Sequence, residues 1–513
     1  MFLADFSVIK PDPGLIIWTS VIFLTLWFFL GRAAFGPIAK ALREREDSID
    51  DALKSADKAR AEMQKLQAEN DEILAQAIDI GKITIKEIPY GEEKADASVS
   101  DNYYNTKLSI FNTSPIYKAP VYSLSALKAL FKADDFNTKY SFFNTSIDVF
   151  KISDWRKDYL NNKTSPISYY NTINRQNFDV VGDVKFVSES ARLQFLPFLA
   201  FKGIESNELK YEARITTILK DWQTQNPYLK SIHWTSGIEI GIRSVNLIYT
   251  HVILSQFEKL SIECDFLIRT QLTNNYNYLK RHLSLFSSAN NHLMAELMGL
   301  VVISSYLEVS IKEQNKWQDL FFNETLNQVN PDGVHMELCT RYHAEVTDQI
   351  LIGLSFLKNK GFQIPDTIEL RFRKMFEFTE HVSYRGVDTV FGDNDEGFVI
   401  DPYFEPGFSL YKSQLLSSNY LYQTNFYAEK TSDFRNYLIF GEGFKVTTNK
   451  NLPESRLFKQ SGYCFMYDHE SELKLSFDVG EIGDAISAAH GHSDLHHFTL
   501  QQHDKALIVD PGT

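Results

Sequence analysis

The sequence predicts a multidomain chain: an N-terminal transmembrane helix and stalk helix, then a helical toroid or solenoid, then a β-sandwich. Three observations predict it. An uncharged apolar run fills residues 15–30, a heptad-spaced helix follows, and beyond residue 80 long helical periodicity gives way to short alternating runs. The length of 513 residues suits about two to four folded units. Apolar content of 44% excludes a disordered chain, and Cys264, Cys339 and Cys464 are too few and too far apart for a disulfide scaffold. Lys+Arg of 52 against Asp+Glu of 66 leave a net charge of −14, which excludes nucleic acid as the main partner. A polyanionic sugar stays possible, because a local basic cleft can sit on an acidic protein.

Residues 1–36 read as a membrane anchor. The run LIIWTSVIFLTLWFFL carries no charge, and extension through Arg32 to Phe35 gives about 21 residues, about 31 Å of helix. Asp5 and Asp12 precede it and a long charged helix follows, so the run is an anchor and not a signal peptide. Lys40, Arg43 and Arg45 place the residues after 36 on the cytoplasmic side. Residues 37–79 form the stalk helix, free of Gly and Pro after Pro37. Leu42, Ile49, Ala56, Met63 and Asn70 fall seven apart, with Ala52, Ala59, Leu66 and Ile73 at the companion position, which predicts a helix partner along residues 37–77.

Near residue 78 Ala and Glu give way to Asn, Tyr, Phe, Ser and Thr, as if two unrelated genes were joined. Residues 80–187 form a mixed, loop-rich entry region. Residues 188–385 are dominated by helical segments such as EARITTILKDWQTQ, GIEIGIRSVNLIYTHVILSQF, NHLMAELMGLVVISSYL and EVTDQILIGLSFLKNKG. Residues 386–513 hold SGYCFMYD, ELKLSFDVG, HFTLQQ and ALIVDPG, which read as strands.

Four clusters could do chemistry. Asn290-Asn291-His292 opens a helix, where free N–H groups favour an anion and Asn290 suits a cap. DGVHMELCTRYH packs Asp332, Glu337, Tyr342 and His343 before a helix. HWTSGIEIGIRSVN offers Trp234, Glu239 and Arg243 for substrate binding, although Glu239 and Arg243 at i,i+4 also suit a surface ion pair. HGHSDLHHFTLQQHDKALIVDPGT places His490 and His492 on one side of a strand, with Asp510 downstream; imidazole plus carboxylate suits Zn²⁺, and His496, His497 and His503 offer competing pairs.

Residues 1–77 resemble the amino-terminal part of the bacterial ATP synthase b subunit, the peripheral stalk. That resemblance implies an inner-membrane anchor through residues 15–35 and a second b-type helix as partner. About residues 105–513 resemble the heparinase II/III-like polysaccharide lyases, including related alginate lyases, through GDVKFVSESARLQFL, IHWTSGIEIGIRSVN, NNHLMAELMGL, NPDGVHMELCTRYH, FGDNDEG and the terminal histidine-rich run. The resemblance implies an α/α toroid followed by an antiparallel β-sandwich, and cleavage of an anionic uronic-acid polysaccharide, heparin/heparan sulfate-like or alginate-like, by β-elimination. Asn291 and His292 are expected to neutralise the uronate carboxylate, Tyr342 to be the general acid, either alone or as both acid and base, and His490 to assist proton abstraction. Glu337, with Trp234, Glu239 and Arg243, is expected to contact substrate, and His492 and Asp510 to hold a structural zinc. Ser188 stands where relatives often carry an aromatic residue.

The implied third zinc ligand lies on a later strand, so the sandwich is expected to be incomplete, zinc weakly held unless His496 or His503 substitutes, and activity poor. Family lyases are periplasmic or exported, whereas this anchor directs its following residues inward. Two other readings compete. One is an ATP synthase stalk protein with a carboxy-terminal passenger; the other is a chimeric gene artefact, which amplification of genomic DNA across codons 70–90 tests.

Overall fold

The computed structural model describes residues 13–30, 110–130, 139–142 and 145–510, apart from 287, 395–396, 406, 482, 484–489 and 491–495. The chain divides into two units, residues 1–101 and 102–513. In the first, Pro13–Leu30 is a helix of 18 residues that leaves Trp18, Phe23 and Phe28 exposed. Among the described residues no helix is long and apolar enough to cross a membrane, and the expected span of 15–35 is described only as far as Leu30. Residues 31–35 of that span and the whole stalk 37–79 lie outside the described residues.

The second unit is a helical array followed by one antiparallel sheet. Its long helices are Leu196–Ser206, Lys210–Gln225, Gly237–Gln256, Ile262–Leu279, Asn291–Tyr306, Ile311–Gln328, Thr340–Lys360 and Asp366–Val382. Polar residues start them where the sequence supplies a short acceptor: Ser261 accepts from the Cys264 N–H, and Ser310 from the Glu313 N–H. Gly361 ends Thr340–Lys360 in the left-handed region at φ 96°.

Asn291–Tyr306 lies between Gly237–Gln256 and Thr340–Lys360 and is buried at nearly every position, as its all-round apolar sequence demands. Two glycines allow the closest crossing. A Cβ on Gly241 would stand 2.4 Å from the Ala295 carbonyl oxygen, and one on Gly299 would stand 2.8 Å from the Gly241 Cα. Backbone cannot retreat as a side chain can. Gly241→Ala should therefore destabilise the unit by about 1–3 kcal/mol. Gly443→Ala is the control, since its added carbon would meet only the Tyr420 hydroxyl at 3.7 Å. Equal thermal midpoints for the two variants would count against this packing argument.

Helices continue past residue 386: Leu410–Tyr422 and Phe434–Phe440, capped by Ser409 and Asp433. Strands were expected there, yet LYKSQLLSSNYLY presents its apolar residues at helical spacing. The sheet begins only at Arg456–Phe458 and continues as Tyr463–Asp468, Leu473–Asp478, Phe498–Gln502 and Lys505–Ile508. Each strand pairs antiparallel with the next, Tyr463 opposite Asp478 and Phe498 opposite Phe477. Among the described residues this is one five-stranded sheet, not the two layers of a sandwich. A cluster containing Phe378, Val382, Phe391, Phe458, Tyr463 and Phe465 packs it onto the helices.

Candidate active site

The Asn291–Tyr306 helix begins with its own polar lock. Asn290 caps it by accepting from the His292 N–H at 3.2 Å, and the loop before it is tied down by Glu296, which accepts from the Ser284 backbone N–H at 2.7 Å and hydroxyl at 2.8 Å. This fixes where Asn291 and His292 stand. Both line a cleft of about 480 Å³ with Tyr342, Arg192, Glu239 and Glu345. Thr340–Lys360 supplies Tyr342 and Glu345 from its first turns. Its start is held by Thr340, whose N–H donates to the Phe391 carbonyl at 3.0 Å and whose hydroxyl accepts from the Phe391 N–H at 3.1 Å. Thr340 thus pins the neighbouring segment and does not cap the helix.

That segment carries Asp393. Its carboxylate meets His490 Nδ1 at 3.0 Å, and its N–H donates to the His490 carbonyl at 3.1 Å. His490 stacks on the Tyr342 ring, centroids 3.8 Å apart and planes at 21°, with its Nε2 at 3.7 Å from Glu337. His490 sits in a turn at φ 65°, not in the strand expected for it. His492 itself lies outside the described residues.

Glu337 corrects an expectation. It is fully buried and touches the cleft groups from behind: the Asn291 amide nitrogen donates to both carboxylate oxygens at 3.0 Å, and His335 Nδ1 lies 3.5 Å away. It does not line the cleft, whereas Asn291 does, and its two carboxylate oxygens hold the Asn291 amide in place. Trp234 and Arg243 are corrected in the same way. Trp234 is fully buried, with its indole N–H donating to the Asn226 carbonyl at 3.4 Å. The Arg243 guanidinium lies between Trp222 at 4.6 Å and Trp234 at 5.6 Å and donates to the Ala191 carbonyl. Two aromatic faces hold that buried cation. Glu239 does reach the cleft, but its partner is Arg192, at 2.6 and 3.1 Å, and not Arg243 four residues on.

Electrostatics sort these groups. Burial pushes the Tyr342 phenol up, and Glu345, Cys339, Glu337 and Asp393 push it further, so it stays protonated at neutral pH. Burial lowers His292 despite the Glu239 charge, so its imidazole is held neutral. Burial raises Glu239, but the Arg192 charge and hydrogen bonds outweigh it and hold the carboxyl below its ordinary range. Burial raises Glu296 to about 7. Its folded value exceeds the unfolded one, so its contribution is fully present below about pH 4.3 and is lost as pH rises through 7. Glu296→Gln, neutral throughout, should therefore gain up to about 3 kcal/mol on the parent between pH 5 and pH 8. A parent–variant gap that is the same at both pH values in denaturant titrations would refute this.

Asp510 lines a second cavity, of about 400 Å³, with Gly392 and Asp393, and accepts from the Gly392 N–H at 3.3 Å. Among the described residues no three His, Cys, Asp or Glu side chains group to hold a metal. Asp332, one of the polar cluster, is a turn anchor: it accepts from the Ser461 hydroxyl at 2.7 Å and from the Gln460 and Ser461 N–H groups at 2.9 and 3.0 Å. His343 is fully buried and structural, its Nε2 3.1 Å from the Met375 carbonyl. The residues that sequence reasoning left outside the lyase site are Asp393, weighed only as a hydrolytic carboxylate, Arg192 and Glu345. FGDNDEG and SESARLQFL flagged the first two; Glu345 had no signal beyond standing three residues past Tyr342.

A helical array joined to an antiparallel sheet thus frames a cleft that Tyr342, His292 and Asn291 line together. The chain belongs to the heparinase II/III family: the N-terminal domain of that family, "Heparinase II/III N-terminus", matches residues 140–431, and "Heparinase II/III-like, C-terminal" matches residues 450–513. The fold is similar to that of a crystal structure of heparinase III, with a TM-score of 0.51, 15% identity, and coverage of 81% of this chain and 62% of that one. Residues 15–87 match "ATP synthase B/B' CF(0)". There the chain is similar to ATP synthase subunit b of Cytophaga hutchinsonii, 55% identical over 75 residues, covering 15% of this chain and 45% of that protein. It is also similar to ATP synthase subunit b of Christiangramia forsetii, 46% identical over 71 residues, 14% of this chain and 43% of that protein. The chain spans less than half the length of these two relatives.

Proposed function

We propose that residues 102–513 act as a polysaccharide lyase on a uronic-acid polymer, heparin/heparan sulfate-like or alginate-like, by β-elimination. The observation that carries this reading is the Tyr342–His490 stack at the same cleft as Asn291 and His292. The C5 proton of a uronate is weakly acidic, so its carboxylate must be neutralised first. The Asn291 amide has a second N–H beyond the one held by Glu337, and this hydrogen with the His292 ring would stabilise the enediolate formed at that carboxylate. His490, oriented by Asp393, takes the C5 proton. The C4–O bond then breaks, a C4–C5 double bond forms, and the protonated Tyr342 phenol donates to the leaving oxygen. Hydrolysis would need two carboxylates flanking an open bond; of Glu337, Asp332 and Asp393, the first is buried, the second anchors a turn and the third is engaged by His490.

Zinc on His492 and Asp510 is part of this proposal. Imidazole and carboxylate donors suit the ion, and Asp510 already holds the segment that carries Asp393. The amino-terminal part is read as a stalk segment that associates with the inner membrane and pairs along 37–77, which its b-subunit likeness supports. The test is the full chain in detergent, offered heparan sulfate, heparin, alginate and hyaluronate, with ultraviolet absorbance of the conjugated unsaturated uronate as readout. No absorbance on any uronate polymer, from a folded preparation, would refute the lyase reading and leave the stalk-with-passenger alternative.

A further inference from the structure

One wall of the cleft is a short, firmly anchored segment. Val181 is buried with Ile173, Val187 and Ile232. Gly182, at φ 70°, turns the chain so closely over Asp158 that a Cβ there would stand 2.6 Å from the carboxylate. Asp158 is itself fully buried and accepts from the backbone N–H groups of Leu160, Asn161 and Asp183 at 2.9, 3.0 and 2.8 Å. On the helical turn Phe178–Val181 only Val181 is buried, and Phe178 stays half-exposed. It lines the cleft and is 49% exposed. Arg175, exposed, lines the same cleft beside it, and its charge reaches His292. Ser188, which offers no ring of its own, lies in that lining too.

We propose that Phe178 and Arg175 form a sugar subsite next to the cleavage point, Phe178 stacking on the apolar face of a pyranose and Arg175 binding that sugar's anionic group. The inference rests on the lyase reading and names how its substrate is held. A flat ring on a rigid wall loses little freedom on stacking, and a guanidinium pairs in fork geometry with a carboxylate or a sulfate.

Kinetics of the full chain on heparan sulfate, desulfated heparan sulfate and alginate, with binding measured in a Tyr342→Phe background, test this. Phe178→Ala should raise KM and the dissociation constant about tenfold, with a far smaller change in kcat. Phe178→Leu, which keeps an apolar side chain at this half-exposed position but removes the flat face, should do the same, and Phe178→Tyr should restore the parent values. Arg175→Gln should weaken binding as well: more on the sulfated polymer if sulfate is its ligand, equally on all if carboxylate is. A parent that cleaves while both ring-deleting variants keep KM and affinity within twofold overturns the subsite alone. A parent that neither binds nor cleaves any of the polymers removes the subsite together with the lyase reading.

Discussion

Tyr342→Phe is expected to lower kcat about 10²–10⁴-fold on any polymer the parent cleaves, with KM and the thermal midpoint close to the parent's. The ring would stay, and with it the stack on His490, because only the hydroxyl is removed. What goes is the proton. Burial, then Glu345 and the other acids around the phenol, keep that proton on Tyr342 across the neutral range, which suits a donor and disfavours a phenolate base. Unchanged kcat in the Phe variant would remove Tyr342 from the chemistry.

Glu337→Gln should be nearly as damaging although Glu337 is buried behind Asn291 and outside the cleft lining. The carboxylate offers two acceptors to the Asn291 amide; Gln offers one acceptor and an NH₂ group that opposes it. We expect a loss of about 10²-fold in kcat/KM from misplacing a reacting group, and about 1–3 kcal/mol of stability from the unsatisfied buried donor. If Glu337 works through Asn291, the double variant with Asn291→Ala should be no worse than Asn291→Ala alone. Fully additive losses would show that Glu337 has a separate role.

Much of this site was legible because its residues cluster in short motifs. NNH at a helix start and Tyr342 five residues after Glu337 are local signals, and the structure brings them to one cleft. Burial was not legible. Glu337, Trp234 and Arg243 stand in motifs dense with polar or aromatic side chains, and nothing in DGVHMELC or HWTSGIEIGIR says that they face inward. Partners far along the chain were hidden too. Glu239 and Arg243 satisfy the helical ion-pair spacing, yet Arg192, 47 residues upstream, holds Glu239, and Trp222 helps enclose Arg243. The helices past residue 386 were missed because nearby alternating runs suggested that the whole stretch was strand.

The glycine crossing has a consequence beyond packing. Gly299 is eight residues, about 12 Å, from Asn291 along one stiff helix. The crossing is a fulcrum and the helix a lever: a tilt of about 5° at Gly299 moves Asn291 by about 1 Å, a displacement worth roughly 10²-fold in rate. The position of the Asn291 amide is thus set by two missing methyl groups at a buried helix crossing. Variants at Gly241 that still fold should consequently lose turnover in proportion to how far they push the Asn291–Tyr306 helix aside.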